Sequence, residues 1–197
     1  MKQSKSANNK VPTMDSLCDH FLIAMPGLQN SIFSRSVTYV CDHSEHGAMG
    51  IVLNHPLDLT LNDVFDQLNI ENSNTDHIHA SVLAGGPVNV QRGFVLHRDE
   101  GSWASTLHVT SEICLTASRD IVSALAEGKG PKSAQFALGY AGWSAGQLES
   151  EITENSWLVV PADTEIMFDT PVTERWASAA KQIGIDLDLI SSTTGHA

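Results

Sequence analysis

The sequence predicts a single α+β domain in which a mixed β-sheet curls into a closed barrel, with the helices packed outside it. Strand-sized apolar segments follow one another in runs, and helical segments are inserted irregularly, which fits an α+β layout better than strict βαβ alternation. The chain of 197 residues is long enough for one buried core, whereas two domains would each be small. Its 42% hydrophobic and 17% charged residues are typical of a globular protein and exclude a disordered one.

Both ends of the chain are predicted to lie outside the folded domain. Residues 1–14 are polar and show no hydrophobic periodicity, which predicts a disordered N-terminal tail. Residues 191–197 are also polar, and a frayed C-terminal tail is expected there. The domain itself is therefore assigned to residues 15–190.

The first half of the domain is predicted to contain three strands and one helix. These strands are expected at residues 20–25, 36–41 and 51–53. Gly47 and Gly50 indicate a loop before the third strand. Thr60 can cap a helix whose Asp63 lies near its positive N-terminal end. Residues 69–79 are polar and rich in asparagine, which predicts a surface loop after this helix.

The second half is predicted to add five strands and three helices. The strands are expected at residues 81–84, 93–97, 113–116, 134–141 and 157–160. Ser118 can cap the first helix and Gly128 can end it. Ser144 and Gln147 have the spacing of a capping box for the second helix. The third is expected over residues 173–183, where apolar side chains recur at helical spacing.

The charge of the chain excludes some classes of function. Eleven Lys and Arg against 23 Asp and Glu give a formal net charge of −12, and a surface of that sign repels phosphate backbones. Direct nucleic-acid binding is therefore not expected. No apolar stretch approaches the roughly 20 residues of a membrane-spanning helix, and no apolar h-region follows the N-terminal lysines. We therefore predict a cytoplasmic protein without membrane contact, whose three cysteines are reduced thiols.

Four short motifs occur along the chain in an order shared with a known family. They are HFLIAMP at residues 20–26, GAMGIVLN at 47–54, GGPV at 85–88, and GYAGW with GQLE within 139–149. On these motifs the chain resembles the AlgH/YqgE family of bacterial proteins, over about residues 20–184. The resemblance implies a compact α+β domain with a closed barrel and no agreed reaction. It also implies the label of transcriptional regulator, because one member name is tied to alginate production.

The favoured function is a binding or regulatory module that acts through a protein or small-molecule partner. The negative charge and the lack of a recognition-helix signature argue against direct DNA binding. No convincing set of acid, base and nucleophile is present, so no catalytic residue and no cofactor are predicted. The alternative is an enzyme of unassigned reaction that uses the same groove.

A candidate groove combines the small residues of two glycine-rich segments with nearby polar and aromatic side chains. The candidate groove residues are Gly47, Gly50, Asn54, Gly85, Gly86, Pro87, Tyr140, Trp143, Gln147 and Glu149. In the alternative interpretation the glycines allow tight turns, the two aromatic residues belong to the core, and Gln147 caps a helix. Most of the acidic residues among Asp15, Asp19, Glu149, Glu151 and Glu154 are interpreted as belonging to solvated helix faces.

Cys41, His43 and His46 form a C-x-H-x-x-H pattern of residue types that bind zinc. A metal site needs further ligands, and the other histidine pair, His77 and His79, lies in the predicted surface loop, so no metal is predicted. Cys41 is also a candidate reactive thiol, because a neighbouring imidazolium would lower its pKa. The favoured interpretation of Cys41 is a small buried hydrophobic residue at a strand end.

Residues 142–146 match G-x-S-x-G between a predicted strand and a predicted helix, the context of a hydrolase nucleophile. In a hydrolase of that fold the acid and the histidine follow the serine, but the only later histidine is His196, in the predicted tail. The favoured interpretation of Ser144 is therefore a helix cap.

Overall fold

The computed structural model describes residues 16–28, 31–74 and 80–185. Within these residues the chain forms ten strands and five α-helices. The predicted tails at residues 1–14 and 191–197, and the loop histidines His77 and His79, lie outside the described residues.

The strands follow the chain as β1 (His20–Ala24), β2 (Val37–Ser44), β3 (Gly47–Val52), β4 (Pro56–Thr60), β5 (Ser81–Ala84), β6 (Val88–Arg98), β7 (Thr106–His108), β8 (Ile113–Thr116), β9 (Ala134–Ser144) and β10 (Trp157–Pro161). The helices are α1 (Leu61–Gln67), α2 (Arg119–Ala126), α3 (Gln147–Thr153), α4 (Thr164–Phe168) and α5 (Arg175–Lys181). Every predicted strand and helix overlaps one of these elements. The strands β4 and β7 and the helix α4 were not predicted, and the predicted loop at Gly47 and Gly50 is wrong because both glycines lie in β3.

The ten strands form one strongly curled sheet with β9 at its centre. Its main path runs β10-β1-β2-β3-β9-β6-β8-β7, and each neighbouring pair along this path is antiparallel. Strands β4 and β5 leave this path, and β5 joins β9 in the one parallel pair among the described strands. The long strand β9 therefore bonds β3 and β5 along one edge and β6 along the other.

The predicted closed barrel is wrong, because the sheet is a half-barrel. Strands β10 and β7 lie at opposite ends of the path and are not paired with each other in the described chain. A sheet closes into a barrel to bury its inner face, and here helices do part of that work. Side chains of α4 and α5, including Ile166 and Trp176, share one core with strand residues such as Tyr39 and Leu96.

Two further cores lie against the sheet. Apolar residues of α1 and α2 pack with Val82, Val95 and Phe136, and Leu148 of α3 packs with Trp143 and Trp157. No helix of the described residues is long and apolar enough to cross a bilayer. The helices therefore contribute apolar side chains to the cores. Strand β9 lies between the core that contains α1 and α2 and the core that contains α3.

Candidate functional site

The Gly85-Gly86-Pro87 segment carries the chain across β9. Ala137 and Leu138 of β9 pair with β5 on one side and with β6 on the other, so the connection from β5 to β6 must pass over β9. A Cβ atom on Gly86 would lie 2.1 Å from the carbonyl carbon of Tyr140, and one on Gly85 would lie 2.4 Å from the carbonyl oxygen of Gly139. Gly86 also has a φ of +151°, which side chains disfavour. Gly85 and Gly86 are therefore needed because the chain passes against the backbone of β9 at this point.

Gly47 and Gly50 also face backbone atoms. A Cβ on Gly47 would lie 2.2 Å from the Trp143 carbonyl oxygen, and one on Gly50 would lie 2.8 Å from the Tyr39 carbonyl oxygen. Both glycines lie in β3, where they pair with Ser144 and Ala141 of β9. The small residues of the candidate groove thus let strands pack closely, and the space beside them is filled by the sheet itself.

Asn54 and Tyr140 have structural partners as well. Asn54 Oδ1 accepts from the Val37 N–H at 2.8 Å, and Asn54 Nδ2 donates to the Arg35 carbonyl at 2.7 Å. Tyr140 is half-buried, and its ring meets the Phe94 ring edge-on with centroids 5.8 Å apart. These two side chains tie strand ends and fill the core.

Two of the remaining candidates, Trp143 and Gln147, bind the side-chain carboxylate of Glu151. Trp143 Nε1 and Trp157 Nε1 each donate to Glu151 Oε2 at 2.8 Å, and Gln147 Nε2 donates to Glu151 Oε1 at 2.9 Å. Both tryptophans are buried, so Glu151 satisfies two indole N–H groups that would otherwise lack partners. Glu151 is therefore an exception to the interpretation that most of these acidic residues are solvated.

Ser144 is not the cap of α3. The N-cap residue is Gly146, with a φ of 76°, and the helix begins at Gln147. Ser144 donates from both its backbone N–H and its Oγ to Gln147 Oε1, at 3.0 and 2.9 Å. Half of the predicted capping box is thus present, because Gln147 reaches back to the Ser144 backbone. The nucleophilic serine of a hydrolase is bonded to an imidazole, whereas the Ser144 hydroxyl is bonded to the Gln147 side-chain amide.

Glu149, the remaining polar candidate, is bonded to His43, so that this pair links α3 to β2. The Leu17 N–H donates to His43 Nδ1 at 3.0 Å, so the ring proton is on Nε2, which donates to Glu149 Oε1 at 2.9 Å. The backbone N–H of Glu149 and then this imidazole hold the pKa of Glu149 below its usual range. Both nitrogens of His43 are therefore engaged.

The C-x-H-x-x-H residues do not converge. His46 is 87% exposed and lies beside Glu45, whereas Cys41 is buried in the core. Burial raises the pKa of Cys41, and its Sγ donates to the Tyr39 carbonyl at 3.7 Å. Cys41 is thus a protonated thiol at neutral pH with no access to solvent.

A cavity of about 230 Å³ lies between α1 and α2 on one side and β6 and β9 on the other. Its apolar lining is Val64, Leu68, Val95, Val122, Phe136 and Leu138. The exposed side chains Gln67, Gln91 and Arg119 lie at its rim. Arg119 Nη2 donates to the Leu68 carbonyl at 2.6 Å, its one side-chain hydrogen bond in the described part of the chain, which leaves its other guanidinium N–H groups available to a ligand. The arrangement can hold an apolar group inside and a polar group at the entrance.

An open depression of about 610 Å³ adjoins the cavity at Gln91, which lines both. It is formed by Pro87, Asn89, Val90, Gln91 and Arg92, where β6 shifts its register against β9 between Val88 and Gly93. Pro87 is the candidate groove residue that lines this depression. The sequence signal for it was available, because an asparagine and a glycine inside a strand pattern suggest a bulge.

The cavity residues were missed because they come from five separate elements, α1, α2, β6, β8 and β9. None of them belongs to a motif, and apolar residues at helical spacing predict a buried face without predicting how well it is filled. The signal that could have found Arg119 is its position at the exposed start of α2, directly after the Ser118 cap position.

Comparisons with known proteins agree on one family. The sequence model described as AlgH-like matches residues 21–188. A UPF0301 protein of Saccharophagus degradans is 64% identical over 182 residues, which covers 92% of this chain and 89% of that protein. A UPF0301 protein of Thioalkalivibrio sulfidiphilus is 52% identical over 179 residues, covering 91% of this chain and 96% of its own length.

Two solved structures are similar in fold. The solution structure of the AlgH protein from Pseudomonas aeruginosa has a TM-score of 0.76 and 44% sequence identity, and the match covers 100% of both chains. A crystal structure from Corynebacterium diphtheriae has a TM-score of 0.69 at 20% identity, covering 93% of this chain and 95% of the other. The second likeness is one of fold alone.

Proposed function

The chain belongs to the AlgH-like family, and from that premise we propose that it is a cytoplasmic binding or regulatory module. Its partner in this proposal is a small amphipathic molecule, held in the cavity between α1, α2, β6 and β9. The observation that carries the proposal is the combination of a solvent-open, mainly apolar cavity with three exposed polar side chains, Gln67, Gln91 and Arg119, at its entrance.

The lining of the cavity supports an apolar body for the ligand. Leu68 and Leu138 are half-buried, so a ligand that covers them removes further apolar surface from water. Such burial contributes about 25 cal/mol per Å². The volume lies just below the usual range of about 300–1,000 Å³ for ligand pockets, which favours a small ligand.

The rim supports a polar or anionic head group. The guanidinium of Arg119 is a cationic donor with several N–H groups, and Gln67 and Gln91 supply amide donors and acceptors beside it. A carboxylate or sulfonate at the entrance would accept charge-assisted hydrogen bonds there. The head group would then project toward the open depression at Pro87 and Val90.

The same lining favours binding over chemistry. Among the described residues that form the cavity there is no Asp, Glu, His, Cys or Lys. A general acid or base therefore has no side chain of suitable pKa at this position. The formal net charge of −12 disfavours a nucleic-acid partner, so a regulatory effect would act through the bound molecule or a protein that senses it.

The experiment is a titration with 1-anilinonaphthalene-8-sulfonate, an aromatic anion whose fluorescence rises in apolar surroundings. Leu68→Trp should fill the cavity and weaken binding at least about tenfold, and Arg119→Gln should weaken it about tenfold by removing the charged donor. The matched controls are Ile70→Trp, which packs in the same core outside the cavity lining, and Arg98→Gln, which lies over Phe168. Equal binding by the cavity variants and their controls would refute the proposal.

A further inference from the structure

Three side chains of metal-binding types meet at the β6-β8-β7 edge of the sheet. Cys114 Sγ lies 3.2 Å from His108 Nδ1 and 3.6 Å from Asp99 Oδ1. The three potential ligand atoms all lie within 4.8 Å of one another. Asp99 and His108 are exposed, whereas Cys114 is buried, so the cluster opens to solvent on one side.

The strand register brings these residues together. Cys114 of β8 is paired directly with His108 of β7 and with His97 of β6, and directly opposed residues project from the same face of a sheet. Asp99 follows His97 at the strand period of two, so it shares that face. The Asp99 N–H donates to the Glu112 carbonyl at 2.8 Å, which holds the end of β6 against the start of β8.

Two of the three separations between ligand atoms match those of a tetrahedral metal site. Zinc binds thiolate sulfur at about 2.3 Å and imidazole nitrogen or carboxylate oxygen at about 2.0–2.2 Å, so ligand atoms at tetrahedral angles are about 3.5 Å apart. The sulfur–nitrogen and sulfur–oxygen separations here are 3.2 and 3.6 Å. The ligand atoms of Asp99 and His108, which lie within 4.8 Å of each other, would approach by at most about 1.4 Å to bind one ion.

We propose that Asp99, His108 and Cys114 bind a divalent transition-metal ion of the zinc type, with water as the fourth ligand. Thiolate and imidazole ligands favour such an ion over Mg²⁺ or Ca²⁺, which prefer oxygen ligands alone. Three protein ligands with one position open to solvent form the kind of site that can also bind a substrate atom.

A nucleophilic cysteine explains the cluster less well. Burial and then the charge of Asp99 raise the pKa of Cys114 to about 11, so the metal-free thiol is protonated and poorly nucleophilic at neutral pH. In a catalytic triad the carboxylate orients the imidazole, whereas Asp99 here contacts the sulfur. A bound cation displaces the thiol proton and neutralises the two anionic ligands.

His97 lies beside the cluster but is not one of the proposed metal ligands. Its Nδ1 lies 2.6 Å from the Arg98 carbonyl and its Nε2 lies 2.9 Å from Thr116 Oγ1, so both ring nitrogens are occupied. The three proposed ligands line no part of the apolar cavity described above. The metal site and the amphiphile site can therefore fail separately.

The test is a Co²⁺ titration of the full-length, reduced, untagged protein after metal removal. The wild type should bind one Co²⁺ with a thiolate-to-cobalt charge-transfer band in the near ultraviolet, and Zn²⁺ should displace it. Cys114→Ser should abolish the band, whereas Cys18→Ser, at a half-buried thiol elsewhere, should keep it.

His108→Gln and Asp99→Asn alter exposed side chains and keep the fold measurable if Cys114→Ser does not fold. Each should weaken Co²⁺ binding at least about tenfold. The absence of a thiolate band in the wild type would overturn the proposal. So would a band that is unchanged in all three ligand variants, or one that is lost in Cys18→Ser.

Discussion

The two halves of the sheet that meet at β9 differ in how completely they are filled. On the side of β3 and α3, backbone touches backbone at the glycine positions, and the polar atoms of Trp143, Gln147 and Glu149 are bonded within the chain. On the side of β6 and α2, an apolar cavity opens to solvent and Arg119 has spare donors at its rim. The first half is closed, and the second is open.

The sequence motifs and the candidate binding cavity therefore lie in different parts of the molecule. The glycine-rich motifs lie where strands cross at van der Waals distance, a requirement of the fold that leaves no space for a ligand. The cavity lies where ordinary apolar residues of α1, α2, β6 and β9 fail to fill the gap between them. A recognisable motif in this protein thus indicates close packing, and the space for a partner lies beside it.

The largest expected effect is on stability, at Gly86, where the connection from β5 to β6 passes tightly over β9. Gly86→Ala would force a Cβ to within 2.1 Å of the Tyr140 backbone at a φ of +151°, and the strands on either side of Gly86, β5 and β6, are both paired with β9. We expect a loss of about 4 kcal/mol in the free energy of unfolding, or no folded protein. The control is Gly27→Ala, since a Cβ at Gly27 meets nothing within 4 Å. Urea denaturation measures both, and equal stability would break the comparison.

A smaller loss is expected at the carboxylate of the same half. Glu151→Ala leaves the buried indole N–H groups of Trp143 and Trp157 without an acceptor, which should lower the free energy of unfolding by about 3 kcal/mol. Glu154→Ala removes an exposed carboxylate one turn of chain away and should change it by less than about 0.5 kcal/mol. A similar small change for both would mean that solvent replaces Glu151 without penalty.

The third prediction concerns the pH dependence of stability, which we attribute in part to His97 of β6, in the open half. Burial is the main cause that lowers the pKa of His97 below its ordinary value of 6.5. Below pH 6.5 the unfolded imidazole binds a proton that the folded one excludes, so stability falls as the pH falls, by at most about 1.4 kcal/mol per pH unit. The pKa of His55 is lowered by burial as well, and it adds to the slope in the same direction.

His97→Gln should therefore flatten the loss of stability between pH 7.5 and 5.5, measured by urea denaturation at several pH values. His46→Gln changes an 87% exposed side chain and serves as the control. An unchanged slope in His97→Gln would show that the His97 side chain is as accessible to protons as in the unfolded chain.

The smallest effect on stability is expected for a glycine of the open half. A Cβ on Gly93 would lie 2.7 Å from Phe136 Cζ, the far end of a side chain that lines the cavity and can turn into it. Gly93→Ala should cost less than about 1 kcal/mol, unlike Gly86→Ala, and it should weaken binding of the fluorescent anion by reducing the cavity. A severe loss of stability here would mean that the open half is as tightly filled as the closed one.

Much of the fold could be predicted from local sequence. The capping box of Thr60 and Asp63 is present, and Gly128 follows α2 with a positive φ, because both features depend on neighbouring residues alone. The close approach at Gly85 and Gly86 was also predictable as such. Its partner was not, since the pairing of β9 with both β5 and β6 depends on contacts about fifty residues apart.

The sites were less predictable for the same reason. Glu151 looks like a surface residue because its tryptophan partners, although only eight and six residues away, lie on the separate strands β9 and β10, whose placement around α3 local sequence does not give. The Asp99, His108 and Cys114 cluster depends on the register of the short strand β7, which has too few residues to show a pattern. Barrel closure is likewise a property of the whole sheet, and helices that cover one face remove the need for it.

The central position of β9 has a consequence for biosynthesis. Because β9 begins at Ala134, about two thirds of the chain leaves the ribosome before the strand that joins β3, β5 and β6 exists. During that interval these strands present unpaired edges, which favour association with other chains. A nascent chain of this protein should therefore depend on chaperones until β9 is translated, and fragments that end before Ala134 should aggregate.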